Sequence, residues 1–264
     1  MTGGRRIALF AVVVAAAFGV AYAVGTMDHG DHGSREEGHA MAHHNPDAPT
    51  EMRMVASTEP KPTPGVASTL RFRIEAGGEA LTDFDVEQTK RMHLIVVRSD
   101  LSSFQHLHPA MDADGTWSVP LTLASAGRFR LYADFVPGGG ERTTLSTDVS
   151  APGEGQDFEH ALPAPADTAT VNGYTVRVSG DDVLSFTVER GGAPVTVDPY
   201  LGARGHLVAI HEGDLAYSHV HPEDGSGDAV SFMAEWDDPG RYRLFFQFNH
   251  GGAVHTAAFT RDVS

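Results

Sequence analysis

The chain has 264 residues, 41% of them apolar, enough to build a core, which excludes wholesale disorder. Nineteen Lys and Arg stand against thirty-five Asp and Glu, a formal charge of −16, so nucleic acid is excluded as the natural partner. Cysteine is absent, which rules out disulfides, thiolate zinc sites, Fe–S clusters and blue-copper centres, whereas histidine occurs fifteen times.

At the amino terminus Arg5 and Arg6 precede an apolar run of 18 residues from Ile7 to Val24, closed by Gly25. A cleaved leader carries roughly 7–15 apolar residues and a spanning helix about 17–25, so the length predicts a signal anchor or transmembrane helix over residues 1–25. The basic pair stays inside, and the chain is expected to be single-pass in the cell membrane with everything after Thr26 outside the cytoplasm. Ala21-Tyr22-Ala23 offers the alternative, cleavage and secretion.

Residues 26–50 are nearly free of aliphatic side chains and hold His29, His32, His39, His43, His44, Met27 and Met41. Such a segment cannot bury a core and reads as a flexible His/Met-rich linker. Imidazole is a borderline ligand and thioether a soft one, so these residues form a weaker set of copper ligands, with carboxylates available to zinc.

The remainder repeats itself. LRFRIE at 70–75 returns as LSFTVE at 184–189, HLIVVRSDLSSFQHLHP at 93–109 as HLVAIHEGDLAYSHVHP at 206–222, and GRFRLYADF at 127–135 as GRYRLFFQF at 240–248. Two modules are therefore expected, a first repeat at 51–150 and a second at 171–264, joined by a linker at 151–170 rich in Pro, Ala and acidic residues. Short apolar-polar alternations near 52–56, 69–75, 80–86, 91–98, 103–108, 116–124, 127–136 and 142–149 predict seven or eight antiparallel strands per repeat. No helical period follows residue 25. The predicted fold is all-β, two immunoglobulin-like β-sandwiches in tandem.

Three histidines recur at one spacing, His93, His106 and His108 in the first repeat and His206, His219 and His221 in the second, with a first gap of 13 residues in both. On a strand i and i+2 face the same side, so His106 and His108, and likewise His219 and His221, present two imidazoles together. The preceding strand, returning through a short turn, brings the earlier histidine to the same sheet edge, giving an open three-imidazole site of the kind Cu(II) or Zn(II) accepts. The second repeat is the richer candidate: His211 replaces Arg98, His250 replaces Pro137 and His255 replaces Arg142, so His255 joins the expected ligands. Met92 and Met111 offer thioethers to Cu(I) in the first repeat. Metal affinity is expected to fall as pH drops through the histidine range. Asp100 and Asp214 read as turn residues binding backbone amides. Gly138-Gly139-Gly140 and Gly251-Gly252 read as hairpin turns. No hydrolase elbow, phosphate loop or His-Glu-x-x-His is present, so no enzyme is expected.

The stretch MHLIVVRSDLSSFQHLHP, with DGTW at 114–117 and GRFRLY at 127–132, resembles a group of exported, membrane-anchored bacterial proteins of actinobacterial type with tandem Ig-like repeats. More loosely, an exported β-sandwich with paired histidines and a Met/His-rich segment is similar to the CopC-like and YtkA-like copper-handling proteins. That resemblance implies a non-catalytic, extracytoplasmic metal-binding protein that buffers copper or delivers it to a membrane metal transporter or cuproenzyme. The chain departs from the CopC-like pattern, in which a histidine at the mature amino terminus is a ligand. The alternative is a cell-surface interaction module with structural histidines.

Overall fold

A computed structural model describes residues 51–57, 61–155, 159–218, 220–223 and 227–264. The expected anchor and His/Met-rich linker, and with them His29, His32, His39, His43, His44, Met27 and Met41, lie outside the described residues, as does His219. Among the described residues no helix is long and apolar enough to cross a membrane. Residues 49–264 form one compact unit.

That unit is all-β and sandwich-like. The first half builds β1 (Met52–Ser57), β2 (Ser68–Ala76), β3 (Glu79–Ala80), β4 (His93–Arg98), β5 (Phe104–Leu107), β6 (Ala110–Met111), β7 (Trp117–Leu121), β8 (Gly127–Phe135) and β9 (Thr143–Ala151). The second half builds β10 (Thr168–Val171), β11 (Tyr174–Ser179), β12 (Val183–Arg190), β13 (Ala193–Pro194), β14 (His206–His211), β15 (Tyr217–Ser218), β16 (Val220–Glu223), β17 (Val230–Ala234), β18 (Gly240–His250) and β19 (Ala253–Val263). The alternation in LRFRIE does what its period demands: Leu70, Phe72 and Ile74 are buried while Arg71 and Arg73 are exposed. The short β6 and β13 carry too few residues to show a period.

Among the described residues the strands form four antiparallel sheets. In the first half the order β1-β2-β7-β6, with β3 beside β2, packs on β5-β4-β8-β9. Phe72, Ile74, Trp117, Leu94, Val96, Phe129 and Leu131 meet between them. In the second half β10-β11-β12-β17-β16, with β13 beside β12, packs on β15-β14-β18-β19, and Phe186 stacks on Phe246 at 4.3 Å between ring centres.

A third core joins the halves. Ile95, Val97, Leu101 and Tyr132 pack against Val208, Ile210, Leu215 and Phe245, and Phe104 stacks on Phe245 at 4.3 Å. The two sheets containing β4 and β14 therefore meet along their outer faces. This explains why HLIVVR is buried at every position: a strand covered on both sides has no solvent face on which to place polar residues. Polar bonds cross this seam too. Tyr132 OH donates to the Leu215 carbonyl at 2.6 Å and Arg130 Nη1 to the Asp214 carbonyl at 3.0 Å.

The turns that aim β5 and β15 are alike. Asp100 Oδ1 accepts from the Ser102 amide, and Asp214 Oδ1 from the Ala216 amide, as the sequence expects of turn aspartates. Leu101 and Leu215 take positive φ values of 58° and 60° and drop their side chains into the seam. Buried Arg98 pairs with Asp100, and His211 Nδ1 occupies the corresponding place against Asp214 at 2.7 Å, which spends that histidine on the turn. Beneath them lie Gly127 and Gly240, at φ 140° and 155°, where a Cβ would collide with the Arg98 guanidinium or the His211 ring. Gly251-Gly252, at φ 65° and 80°, makes the tight turn between β18 and β19.

The seam is expected to carry much of the stability. Ile95→Ala should cost about 2–5 kcal/mol in urea unfolding, whereas Val254→Ala, at an exposed position, should stay within about 0.5 kcal/mol.

Candidate metal centre

β4 and β5 form a hairpin in which Ile95 lies opposite His106 and Leu94 opposite Leu107; the same register continued sets His93 opposite His108. Period-two alternation places His93, Ile95, His106 and His108 on one face, the one turned to the seam. The three histidines offer one nitrogen each within 4.8 Å of one another. Their ring centres lie 5.2 Å apart for His93 with His106, 5.2 Å for His93 with His108 and 4.8 Å for His106 with His108.

Tautomers follow from the partners. His93 Nε2 lies 3.2 Å from the Glu87 carbonyl oxygen, which only accepts, so Nε2 carries the proton. His106 Nδ1 lies 2.6 Å from Gln247 Oε1, and the other end of that amide lies 3.3 Å from Thr256 Oγ1; with the amide in this orientation Nδ1 carries the proton. The remaining nitrogens, His93 Nδ1 and His106 Nε2, then face each other 3.0 Å apart with a lone pair each. Two acceptors at that distance repel unless a cation joins them. His108 Nε2 is buried beside them with no hydrogen-bond partner among the described residues. A tetrahedral ion with bonds of about 2.0–2.1 Å spaces its nitrogens about 3.3 Å apart, within a few tenths of the gap between His93 and His106. The Glu87 carbonyl and Gln247 hold the two rings by their far nitrogens, as the outer partners of ligating imidazoles do.

The rings are also neutral. Burial lowers the pKa of His106 to about 3, against the opposing pull of the Gln247 hydrogen bond, with His93 and His108 adding repulsion. Burial lowers His108 to about 4 and holds His93 below its ordinary value, the latter opposed by the Glu87 carbonyl and Asp134. His206 is held well below its ordinary value by burial first and by the neighbouring imidazoles second. The proton competition expected across the ordinary histidine range is therefore displaced to more acid pH at these positions.

The other sequence-derived candidates are distributed differently. His206 opens β14 on the seam, its ring stacked on His93 at 5.5 Å and 4.5 Å from His106. His221 sits exposed on β16, opposite Met233 in the outer sheet, because the chain crosses between sheets directly after Ser218. In the first half the corresponding crossing comes after Leu107, and β5 keeps His106 in the seam-facing sheet. His255 is buried on β19, where Asn172 Nδ2 donates to its Nδ1 at 3.1 Å and the Tyr174 ring lies 4.6 Å away. His250 Nδ1 bonds the Tyr174 hydroxyl at 2.7 Å. Met92 is buried in the first-half core and Met111 packs against it, which takes both thioethers out of the histidine cluster. Gln247 is the residue that sequence reasoning missed. Its signal is its place opposite His206, as Asp134 stands opposite His93, a polar residue amid the apolar GRYRLFFQF strand.

The family described as Domain of unknown function (DUF8832) matches residues 39–153 and 166–264. No curated protein matches the chain. Among solved structures, S. aureus TarS is similar at 9% identity and a TM-score of 0.22, over 78% of this chain and 39% of that one. A marsupial T cell receptor reaches 10% identity and a TM-score of 0.25, over 82% and 98% of the two chains. Domains 5–6 of the S-layer protein SbsC reach 11% identity and a TM-score of 0.23, over 82% and 97%. The chain thus spans about two fifths of the TarS chain, and at these scores none of the likenesses bears on function.

The lowered values fix a pH dependence. Histidine in the unfolded chain titrates near pH 6.5, so between that value and the folded values the unfolded state binds more protons, and stability falls on acidification. Each fully affected imidazole contributes about 1.4 kcal/mol per pH unit. In urea unfolding of metal-free protein the midpoint should drop from pH 7 to pH 5, and the drop should be smaller in His106→Gln; a flat profile would mean that the rings are not held neutral.

Proposed function

Taking as premise that the chain belongs to the DUF8832 family, we propose that it is a non-catalytic, extracytoplasmic metal-binding protein that buffers or delivers copper. The single observation that carries this reading is the 3.0 Å contact of His93 Nδ1 with His106 Nε2, whose far-side partners leave no proton for it, beside His108 Nε2, buried without a hydrogen-bond partner among the described residues. Histidines serving only as structural hydrogen-bonders would not aim acceptors at one another inside a protein.

The donor set is all nitrogen. Imidazole suits Cu(II), Zn(II), Ni(II) and Fe(II), and Cu(II) leads the affinity order of the divalent ions, with zinc next in relevance. With Met92 and Met111 committed to the core, neither offers a thioether to Cu(I) at this histidine cluster. On this reading residues 1–25 anchor the protein in the membrane and residues 26–50, with their histidines and methionines, capture ions for the folded site. The two pairs of sheets act as immunoglobulin-like sandwiches that hold the site rigid, and a membrane metal transporter or cuproenzyme is the partner.

The test is calorimetric titration of residues 51–264 with Cu(II) and with Zn(II). One ion per chain is expected. His93→Ala and His106→Ala should each weaken it by tenfold or more, while His221→Ala and His255→Ala should leave it unchanged. Gln247→Leu should cost about 10–100-fold, the usual effect of losing a residue that orients a ligand. No saturable binding, or binding that survives His106→Ala, would overturn the proposal.

A further inference from the structure

We infer that His206 supplies a fourth ligand, making one closed four-imidazole centre shared by both halves of the chain; this rests on the metal-binding reading above. The sequence points to two like sites, one in each repeat. The structure instead brings His206 to the first-half histidines, its ring nearly parallel to His93 at 19° and its centre 4.5 Å from that of His106. The seam accounts for this: His93 opens β4 and His206 opens β14, and the two sheets meet face to face, so the leading residues of both strands arrive at one point.

His206 is only 7% exposed, and its Nδ1 is buried without a hydrogen-bond partner among the described residues. A buried polar atom left so costs free energy. A cavity of about 10 Å³ adjoins the ring, lined in part by Gln88, Asp134 and Arg142. Gln88 Oε1 in that group is itself buried and has no partner among the described residues, and the Asp134 carboxylate stands nearby, so acceptors of the type that orient a ligating imidazole are at hand. Closure asks the His206 ring to turn towards the three donors that already converge within 4.8 Å. A four-nitrogen shell differs in kind from a three-nitrogen one. It leaves no coordination position for an outside ligand, as in structural rather than catalytic zinc sites, and it ties the two halves through the ion.

Co(II) titration of the full-length chain, followed by its visible absorption, reads both ligand number and openness. Every protein compared carries His29→Ser, His32→Ser, His39→Ser, His43→Ser and His44→Ser, so that the linker contributes equally little. The expected result is a tetrahedral Co(II) spectrum that azide does not alter. In His206→Ala and in the more conservative His206→Gln, affinity should be at least tenfold lower and the spectrum should shift on adding azide. Circular dichroism of the two variants checks that they fold, and His250→Ala should match the parent. If the parent binds Co(II) but its spectrum responds to azide, or if both folded variants bind as tightly as the parent, the fourth ligand is refuted while the three-histidine site stands. If the parent binds neither Co(II) nor Cu(II), the metal-binding reading falls and the shared centre with it; if it binds Cu(II) but no Co(II), the closed tetrahedral centre is refuted while the copper site stands.

Discussion

The seam between the two inner sheets governs everything else in the molecule. β4 and β14 are covered on both sides, one face by the core of their own half and the other by each other. Burial on this scale is the dominant favourable contribution to folding, and it dictates composition: Ile95, Val97, Val208 and Ile210 are required where an ordinary sandwich would show polar residues to water. It also dictates which polar groups are tolerated. Tyr132 and Arg130 reach across to backbone carbonyls of the opposing turn, and Arg130 is held by Asp148 as well.

Histidines in such a place are unusual cargo. An apolar surrounding penalises the charged ring, so these side chains are driven to the neutral form, and a neutral ring has one donor and one acceptor to satisfy. At His93 and His106 the donors are satisfied by Glu87 and Gln247, and it is the acceptors that are left over. The arrangement is the inverse of a hydrogen-bonded polar network, in which every lone pair meets a hydrogen. The same burial that keeps protons away thus leaves these nitrogens with lone pairs that no proton occupies.

The strand content was legible in the sequence because the outer sheets obey a simple period: Leu70, Phe72 and Ile74 in, Arg71 and Arg73 out. The histidine spacing was legible too, since i and i+2 on β5 and its return from β4 need only local geometry. What the repeat concealed was the use made of each copy. Identical spacing suggests identical sites, yet His221 is carried into the outer sheet by an earlier strand crossing and His206 is turned towards the other half. The clue was present in HLIVVR and HLVAIH, whose unbroken apolar runs denote strands buried on both faces and therefore a second packing surface. Which surface a strand meets is a tertiary property that one-dimensional periodicity does not encode.

The connection between the halves has its own consequence. Ala151 ends β9 and Thr168 begins β10, and along the way the backbone amide and Nδ1 of His160 both bond Asp100 Oδ2, at 3.0 and 2.9 Å, fastening the connector to the turn beside the seam. A short tether of this kind holds its ends at an effective concentration on the order of millimolar. Assembly of the seam is thus a unimolecular event, independent of dilution. One chain thus carries within itself the complementary face that an ordinary two-fold dimer would have to find by collision.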